Sequence, residues 1–431
     1  MPSTPAPQDH SPIKTADVLV VGGGPAGAAA ATELARAGRS VMVVDKAGFP
    51  RDKCCGDGLT TLALRELEQL GFTPDLVGHW SDVSAAHLRS PSGREVTVPL
   101  PTTGTYAAIV PRLQLDHAVL GLARRAGAEV RDGHAVTGVD VSHSDHVDAQ
   151  VDGIGVVRAR YLVAADGMWS PVRKSLGLHT PCYLGEWHAF RQYASRVTGP
   201  AAERLYVWFE ADLLPGYAWS FPLPGGRANV GFGVLRDGSR RIQDMKDVWT
   251  DLLARPHVVE ALGEGFELED RHTAWPIPAR IDTAVLGHRR VLFVGDAATA
   301  TDVMTGEGIG QALLTGRVAA ESMLTAGATR PDLARARYGR EVHHHLVADH
   351  RMSKLLGRAL GSELGARGAI RVVGASGTWG RRNFARWMFE DEPRAVALTP
   401  SRWHRGFLGR PGAWADPSDQ SDPSDRTAGT A

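Results

Sequence analysis

The sequence predicts a mixed α/β (α+β) fold. A parallel-sheet nucleotide-binding domain is interleaved with an antiparallel-sheet domain, and a helical region follows. Three observations carry this. Asp17 to Lys46, DVLVVGGGPAGAAAATELARAGRSVMVVDK, reads as a short buried strand, a glycine turn, an Ala-rich helix and a second strand, a βαβ unit of Rossmann type. Two later apolar runs, Tyr161 to Gly167 and Arg290 to Ala298, each end in an acidic turn, as further strands of the same sheet would. Between them lie longer β-type segments, RLYVWFE and RANVGFGVLR, separated by PGYAWSFPLPGG, which favour antiparallel sheet.

Within the first stretch each glycine has a separate task. Gly22 lets the chain turn out of the strand, Gly24 lets backbone approach a pyrophosphate, and Gly27 lets the helix pack on the sheet. The helix start, with Ala26 in its first turn, offers unpaired N–H groups and a partial positive charge to an anion. Asp45 stands at the end of the second strand, where an acid accepts ribose hydroxyls. A bound dinucleotide follows from this spacing.

Lys46 to Gly58, KAGFPRDKCCGDG, is too rich in glycine and charge for a regular element and is expected to lie as a loop over the ligand. Leu59 to Leu70 has helical spacing closed by Gly71, and Val83 to Leu100 reads as a hairpin around Ser90-Pro91-Ser92-Gly93. Pro111 to Ala128 returns to helix with Leu115, Val119 and Leu122 on one face. Gly306 to Leu324 opens with GEGIG, so Gly308 and Ile309 begin a second helix whose start faces an anion. Residues 331 to 403 read as mainly helical.

The expected organisation is an unfolded tail over 1–15, a nucleotide-binding domain from 16–82, 105–175 and 276–330, and a substrate domain from 83–104 and 176–275. A helical region over 331–405 and a second unfolded tail over 406–431 complete it.

Composition excludes several classes. The chain has 431 residues, 43% hydrophobic and 22% charged, with acids and bases balanced at 48 each. That balance argues against a nucleic-acid partner and leaves a peripheral contact with a membrane surface open. Three cysteines, Cys54, Cys55 and Cys182, do not make a disulfide framework, and no apolar run reaches bilayer-spanning length, so a cytoplasmic location is expected, with the membrane's inner face as a docking place. His345 and Asp349 share a helical face, but a full metal-ligand set is not visible, so no metal is expected.

Three blocks, GGGPAG, the AADG of Ala164 to Gly167 and the GDAA of Gly295 to Ala298, stand in an order that resembles the flavoprotein fold typified by para-hydroxybenzoate hydroxylase. The resemblance implies FAD. It implies an ADP part held by the first block, Asp296 on the ribityl or ribose side, Arg112 of PRLQLD beside pyrophosphate and ribose, and backbone at Val136 on the adenine. Two further motifs, PRDKCCGDGLT at Pro50 to Thr60 and PGYAWSFP at Pro215 to Pro222, resemble those of the geranylgeranyl reductase family. The GDAATATDVMTGEGIGQAL of Gly295 to Leu313 is similar to that family's version, and WMFEDEPRAVALTPSRW resembles its actinobacterial members associated with prenyl quinone reduction. Thr61-Leu62-Ala63 departs from the Pro-Arg-Ala more usual there.

The family saturates carbon–carbon double bonds of prenyl chains. An isolated trisubstituted alkene accepts hydride only when protonated, so the site needs an acid, a dry pocket and tolerance of positive charge. Tyr217, Trp219 and Phe221 alternate along one strand and would face one side as a substrate wall, or equally build the sheet core. Cys55, in the loop over the flavin ring, is the candidate catalytic group, as proton donor, gate or packing; Cys54 reads as incidental and Cys182 as structural. No separate nicotinamide-binding unit is visible, so NAD(P)H docks transiently or a small redox protein supplies electrons. The competing reading is a flavin-dependent monooxygenase or halogenase on the same fold.

Overall fold

A computed structural model describes residues 13–236, 244–403 and 409–416. Its first sheet has the spatial order Gly287–His288, Val291–Phe293, Gly155–Ala164, Lys14–Val21, Val41–Asp45, Glu129–Asp132. From Val291–Phe293 onward the neighbours are parallel: Val163 pairs with Leu292 and Val20, and Val20 with Val43. These strands are apolar throughout because both faces are covered, with Leu19, Val20, Val43, Leu162 and Val163 all fully buried. The antiparallel strands Val136–Asp140 and Val147–Val151 attach beside Gly155–Ala164.

The helices Pro25–Arg36, Arg112–Arg125 and Ile309–Ala326 join that core. Ala28 to Ala31 are buried, and their small side chains let the first helix lie close against the sheet and against the Ile309–Ala326 helix. The close approach is visible at Gly316, where an added Cβ would stand 2.1 Å from the Ala26 carbonyl.

The second sheet runs Glu267–Ile277, Trp187–Ser195, Arg227–Leu235, Tyr217–Leu223, Leu205–Trp208, Ala85–Arg89, Glu95–Pro99. Ala85–Arg89 and Glu95–Pro99 form the hairpin expected around Ser90 to Gly93. All neighbours are antiparallel except one: Leu205–Trp208 runs parallel to Ala85–Arg89, with Val207 opposite Leu88. Two helices unread from the sequence, Met245–Ala254 and Pro256–Leu262, cover one face of this sheet through Trp249 and Leu252.

The C-terminal helices are Pro331–Val342, Ala348–Leu360, Glu363–Ala375 and Gly377–Met388, with a π-helical turn at His343–Val347. Asp349 does not face a metal partner in His345; it pairs with Arg402 at 2.7 Å and accepts the Ala395 N–H.

The tail boundaries differ from expectation. Residues 1–12 and 417–431 lie outside the described residues, but the first strand already begins at Lys14. Residues 409–416 are ordered against the fold: Ala413 bridges Thr105, and Trp414 donates its indole N–H to the Phe72 carbonyl beside Trp80. Burying Ala413 and packing a partly buried Trp414 against the core outweigh the acidic, low-complexity sequence that follows.

Candidate functional site

A cavity of about 660 Å³ opens between the two sheets. Its floor is the glycine turn after the first strand. Gly22 sits at φ +106, and an added Cβ there would meet the Ala165 carbonyl at 2.2 Å, so the turn is closed to other residues by its own neighbours. Gly27 is excluded from the cavity and serves packing, since its Cβ would stand 1.8 Å from the Gly22 carbonyl. Gly24 differs: a Cβ there would touch only an Arg51 nitrogen at 3.4 Å. The protein leaves that space free, as a cradle for a phosphate requires. Beyond it the Pro25–Arg36 helix starts with no acidic residue in its first turn.

Asp45 accepts the N–H of Gly23 at 2.7 Å and of Ala47 at 2.8 Å, which fixes its carboxylate at the cavity rim while each oxygen keeps a further lone pair. Lys46, Ala26, Gly58, Val136, Gly308 and Ile309 line the same cavity. Arg112 lines it too, but its guanidinium fork is engaged by Asp116 through two 2.7 Å hydrogen bonds, and Arg51 reaches the same carboxylate at 3.1 Å. Burial works to raise the Asp116 carboxyl, and the two arginines outweigh it and hold it below the ordinary range.

Asp296 pairs with Lys53 at 2.9 Å. Burial alone would push its carboxyl up; Lys53 holds it below its usual value instead. The pair ties the Lys46 to Gly58 loop to the acidic turn across the cavity.

The far wall is aromatic. Tyr217, Trp219 and Phe221 lie side by side along one strand with ring centroids 6.0 and 6.2 Å apart, and all three line the cavity. Phe221 rests on the loop at two of its glycines: a Cβ at Gly56 or Gly58 would stand 3.1 Å from its ring. Trp219 lies across Gly231, where a Cβ would stand 2.4 Å from the indole. Trp187 extends the apolar lining, as do Trp275, Ile277 and Met304, which the sequence did not single out for this role.

A buried polar knot behind this wall was also missed. Asp57, at φ 64, accepts hydrogen bonds from Tyr193 Oη at 2.7 Å, Asn229 Nδ2 at 2.8 Å and the Arg112 N–H at 3.1 Å. Burial pushes its carboxyl up, with Arg191 and these donors pulling the other way. Asn229 and Arg191 also donate to the Cys55 carbonyl, at 2.9 and 3.2 Å. The Cys55 thiol lines the cavity, and burial pushes it up to about 11 against the pull of Arg112, so it stays a neutral thiol. Cys182, read as structural, is exposed.

A glycine cradle with space for phosphate, a rim carboxylate and an aromatic chamber on one cavity define a flavin-dependent oxidoreductase. Residues 15–316 match the FAD binding domain family. The sequence is 37% identical to a menaquinone reductase of Mycolicibacterium smegmatis, covering 73% of this chain and 78% of that one. It is 36% identical to a menaquinone reductase of Mycobacterium tuberculosis (76% and 81% covered) and 30% identical to digeranylgeranylglycerophospholipid reductase 2 of Methanopyrus kandleri (71% and 76%). Among solved structures, a geranylgeranyl bacteriochlorophyll reductase-like protein from Thermoplasma acidophilum superposes with a TM-score of 0.75 at 22% identity, covering 91% of this chain and all of that one. A halogenase in complex with FAD superposes with 0.68 at 18% identity, covering 89% and 84%. The chain belongs to the geranylgeranyl reductase family of FAD-dependent oxidoreductases.

Proposed function

We propose that the protein saturates a carbon–carbon double bond in the isoprenoid side chain of a menaquinone-type quinone. The observation that carries this is the Tyr217–Trp219–Phe221 wall seated on the Cys55 loop, facing the same cavity as the glycine cradle. FAD, when bound, supplies hydride at its reduced ring.

The residues proposed to hold it are Gly22, Gly24, Ala26, Asp45 and Lys46 at the ADP end, with Arg112 and Val136 nearby. Gly58, Asp296, Gly308 and Ile309 are proposed toward the ring. Gly27 acts indirectly by seating the helix. The chain's own contribution is to exclude water and to tolerate charge. Trp219, Tyr217 and Phe221 present ring faces, each worth about 0.5–2 kcal/mol to a developing carbocation. Cys55 adds a neutral thiol surface over the reacting edge. Electrons arrive from NAD(P)H or a small redox protein that docks transiently.

An oxygenase or halogenase reading is less well supported. Halogenases resembling this fold usually carry a catalytic lysine near the first sheet; of the two lysines lining this cavity, Lys46 and Lys53, Lys53 lies in the reductase-type loop and is ion-paired with Asp296.

Among the described residues no helix is long and apolar enough to cross a membrane. We further propose contact with an anionic membrane surface through the C-terminal helices, which supports access to a lipid-dissolved quinone. Leu355, Leu364, Val372 and Trp379 are exposed there, Leu364 by 81%, beside exposed Arg358 and Arg371.

The test is mass spectrometry of quinones from cells with and without the gene. A side chain lighter by two hydrogens in the deletion is expected; unchanged masses across all isoprenoid lipids would sink the proposal.

A further inference from the structure

An alkene that takes up hydride must also take up a proton, and the half-buried, neutral Cys55 thiol is a weak acid for that task. Glu307 is better placed. It lies in the turn before the Ile309–Ala326 helix and lines the cavity with Tyr217 and Cys55. Among the described residues no hydrogen bond or ion pair reaches its carboxyl, although its backbone is firmly held. Its carbonyl accepts the Asp302 N–H at 2.8 Å and its N–H reaches Thr305 Oγ1 at 3.3 Å. The Thr305 carbonyl in turn accepts the Tyr217 hydroxyl, which ties this turn to the aromatic wall. A fixed backbone with an uncommitted acid beside the substrate wall is the arrangement of a general acid.

Behind it stands Glu390, from the WMFEDEPRAVALTPSRW segment for which the site described so far has no use. It adopts φ +60, a left-handed conformation uncommon outside glycine. Its two carboxyl oxygens accept Thr60 Oγ1 at 2.8 Å and Gln311 Nε2 at 2.9 Å. Glu390 faces a second cavity of about 680 Å³, a polar one lined also by Asp302, His345, His350 and Arg394. Thr301 belongs to the walls of both cavities, so the two spaces lie back to back.

Resting on the reductase reading above, we propose that Glu307 donates the proton to the isoprenoid double bond and that Glu390 reloads it from the polar second cavity. The Glu307 O–H bond breaks as a C–H bond forms at one alkene carbon. Reduced FAD, when bound, would supply the hydride for the C–H bond at the other carbon and would itself be oxidised by two electrons. The Glu307 carboxylate then regains its proton by way of Glu390, and the electron donor restores the flavin.

Electrostatics agree with this placement. Burial, then repulsion by Glu390 and Asp302, lifts the Glu307 carboxyl to about 8 against the pull of Arg394, so it carries a proton at neutral pH. Glu307 in turn works to raise Cys55 and Tyr217. The positive end of the Ile309–Ala326 helix favours the ionised form and works against these effects. Burial also moves Glu390 above the usual carboxylate range, with Asp302 reinforcing and Arg394 opposing.

The test compares Glu307→Gln with wild type by two routes. In the flavin-loaded enzyme, kcat should fall by about 100- to 10,000-fold with KM little changed, because only the proton transfer is removed. Wild-type kcat should decline as pH rises through about 8, the value at which the acid empties. Glu390→Gln should slow turnover less than Glu307→Gln does. In flavin-free protein at pH 7, the infrared band of protonated carboxyls should be weaker in Glu307→Gln than in wild type by the share of one carboxyl, the remainder coming from other raised groups such as Glu390. The melting temperature of the variant should gain on wild type as pH rises from 5 to 9, since a carboxyl raised on folding loses its stabilisation as it ionises. Normal turnover in Glu307→Gln beside an active wild type overturns the assignment alone. A wild type inactive on every isoprenoid overturns the reductase reading with it.

Discussion

The indole N–H of Trp219 donates to Asn229 Oδ1 at 3.1 Å, and the same carboxamide donates to Asp57 and to the Cys55 carbonyl. One fully buried side chain thus sets the tilt of the aromatic wall and the height of the loop opposite it. Asn229→Leu keeps the volume but strands the Trp219 donor and leaves Asp57 short of a partner. Each stranded group costs about 1–3 kcal/mol. The expected outcome is a clear drop in melting temperature and slower turnover, with Asn229→Asp intermediate. Wild-type melting and kinetics in Asn229→Leu would show that the knot positions nothing.

Two glycines of the first motif, Gly24 and Gly27, should give distinct phenotypes. Gly27→Val collides with backbone at 1.8 Å and should abolish folding. Gly24→Val meets little protein, so the chain should fold with an unchanged circular dichroism spectrum and purify without yellow colour. Stoichiometric flavin in Gly24→Val would place the phosphate cradle elsewhere.

Cysteine chemistry follows the burial of the thiols. Because burial raises Cys55 to about 11, its reactive thiolate is scarce at neutral pH and grows only as pH climbs toward that value. Iodoacetamide at pH 7.5 should label exposed Cys182 first and Cys55 very slowly, with the Cys55 rate rising with each pH unit above that. Peptide mapping by mass spectrometry reads this directly. Fast labelling of Cys55 at neutral pH would mean that the loop stands open.

Membrane contact is tested by sedimentation with vesicles. Leu364→Glu combined with Trp379→Glu changes two side chains exposed by 81% and 69%, so folding should be unaffected. Binding to vesicles containing anionic lipid should fall about tenfold or more, and high salt should weaken wild-type binding as well. Equal binding by the double variant moves the contact to another face.

Much of this site could be read from local sequence. The βαβ unit announces itself because the glycine turn, the Ala-rich helix and the two buried strands all fall within thirty residues. The aromatic wall is legible because side chains two apart on a strand share a face. The polar knot is not local: Asp57 and Asn229 are 172 residues apart and meet only when both sheets are formed. A signal was present in RANVGFGVLR, where an asparagine in a central apolar strand runs against strand preference and implies a buried partner. Glu307 was visible within GEGIG as part of a helix start. Its carboxyl gains meaning only from Tyr217 beside it and Glu390 behind it, which come from distant segments. Residues 409–416 were hidden by the acidic stretch that follows them.

The order of strands in the first sheet has a consequence for biosynthesis. Val291–Phe293 lies against Gly155–Ala164, and Asp296, Gly308 and Ile309 follow it, so a ribosome must release nearly three quarters of the polypeptide before both ends of the proposed flavin cleft exist together. A nascent chain carries half a cleft for most of its synthesis. On the proposed site residues, cofactor loading would be a late event in synthesis.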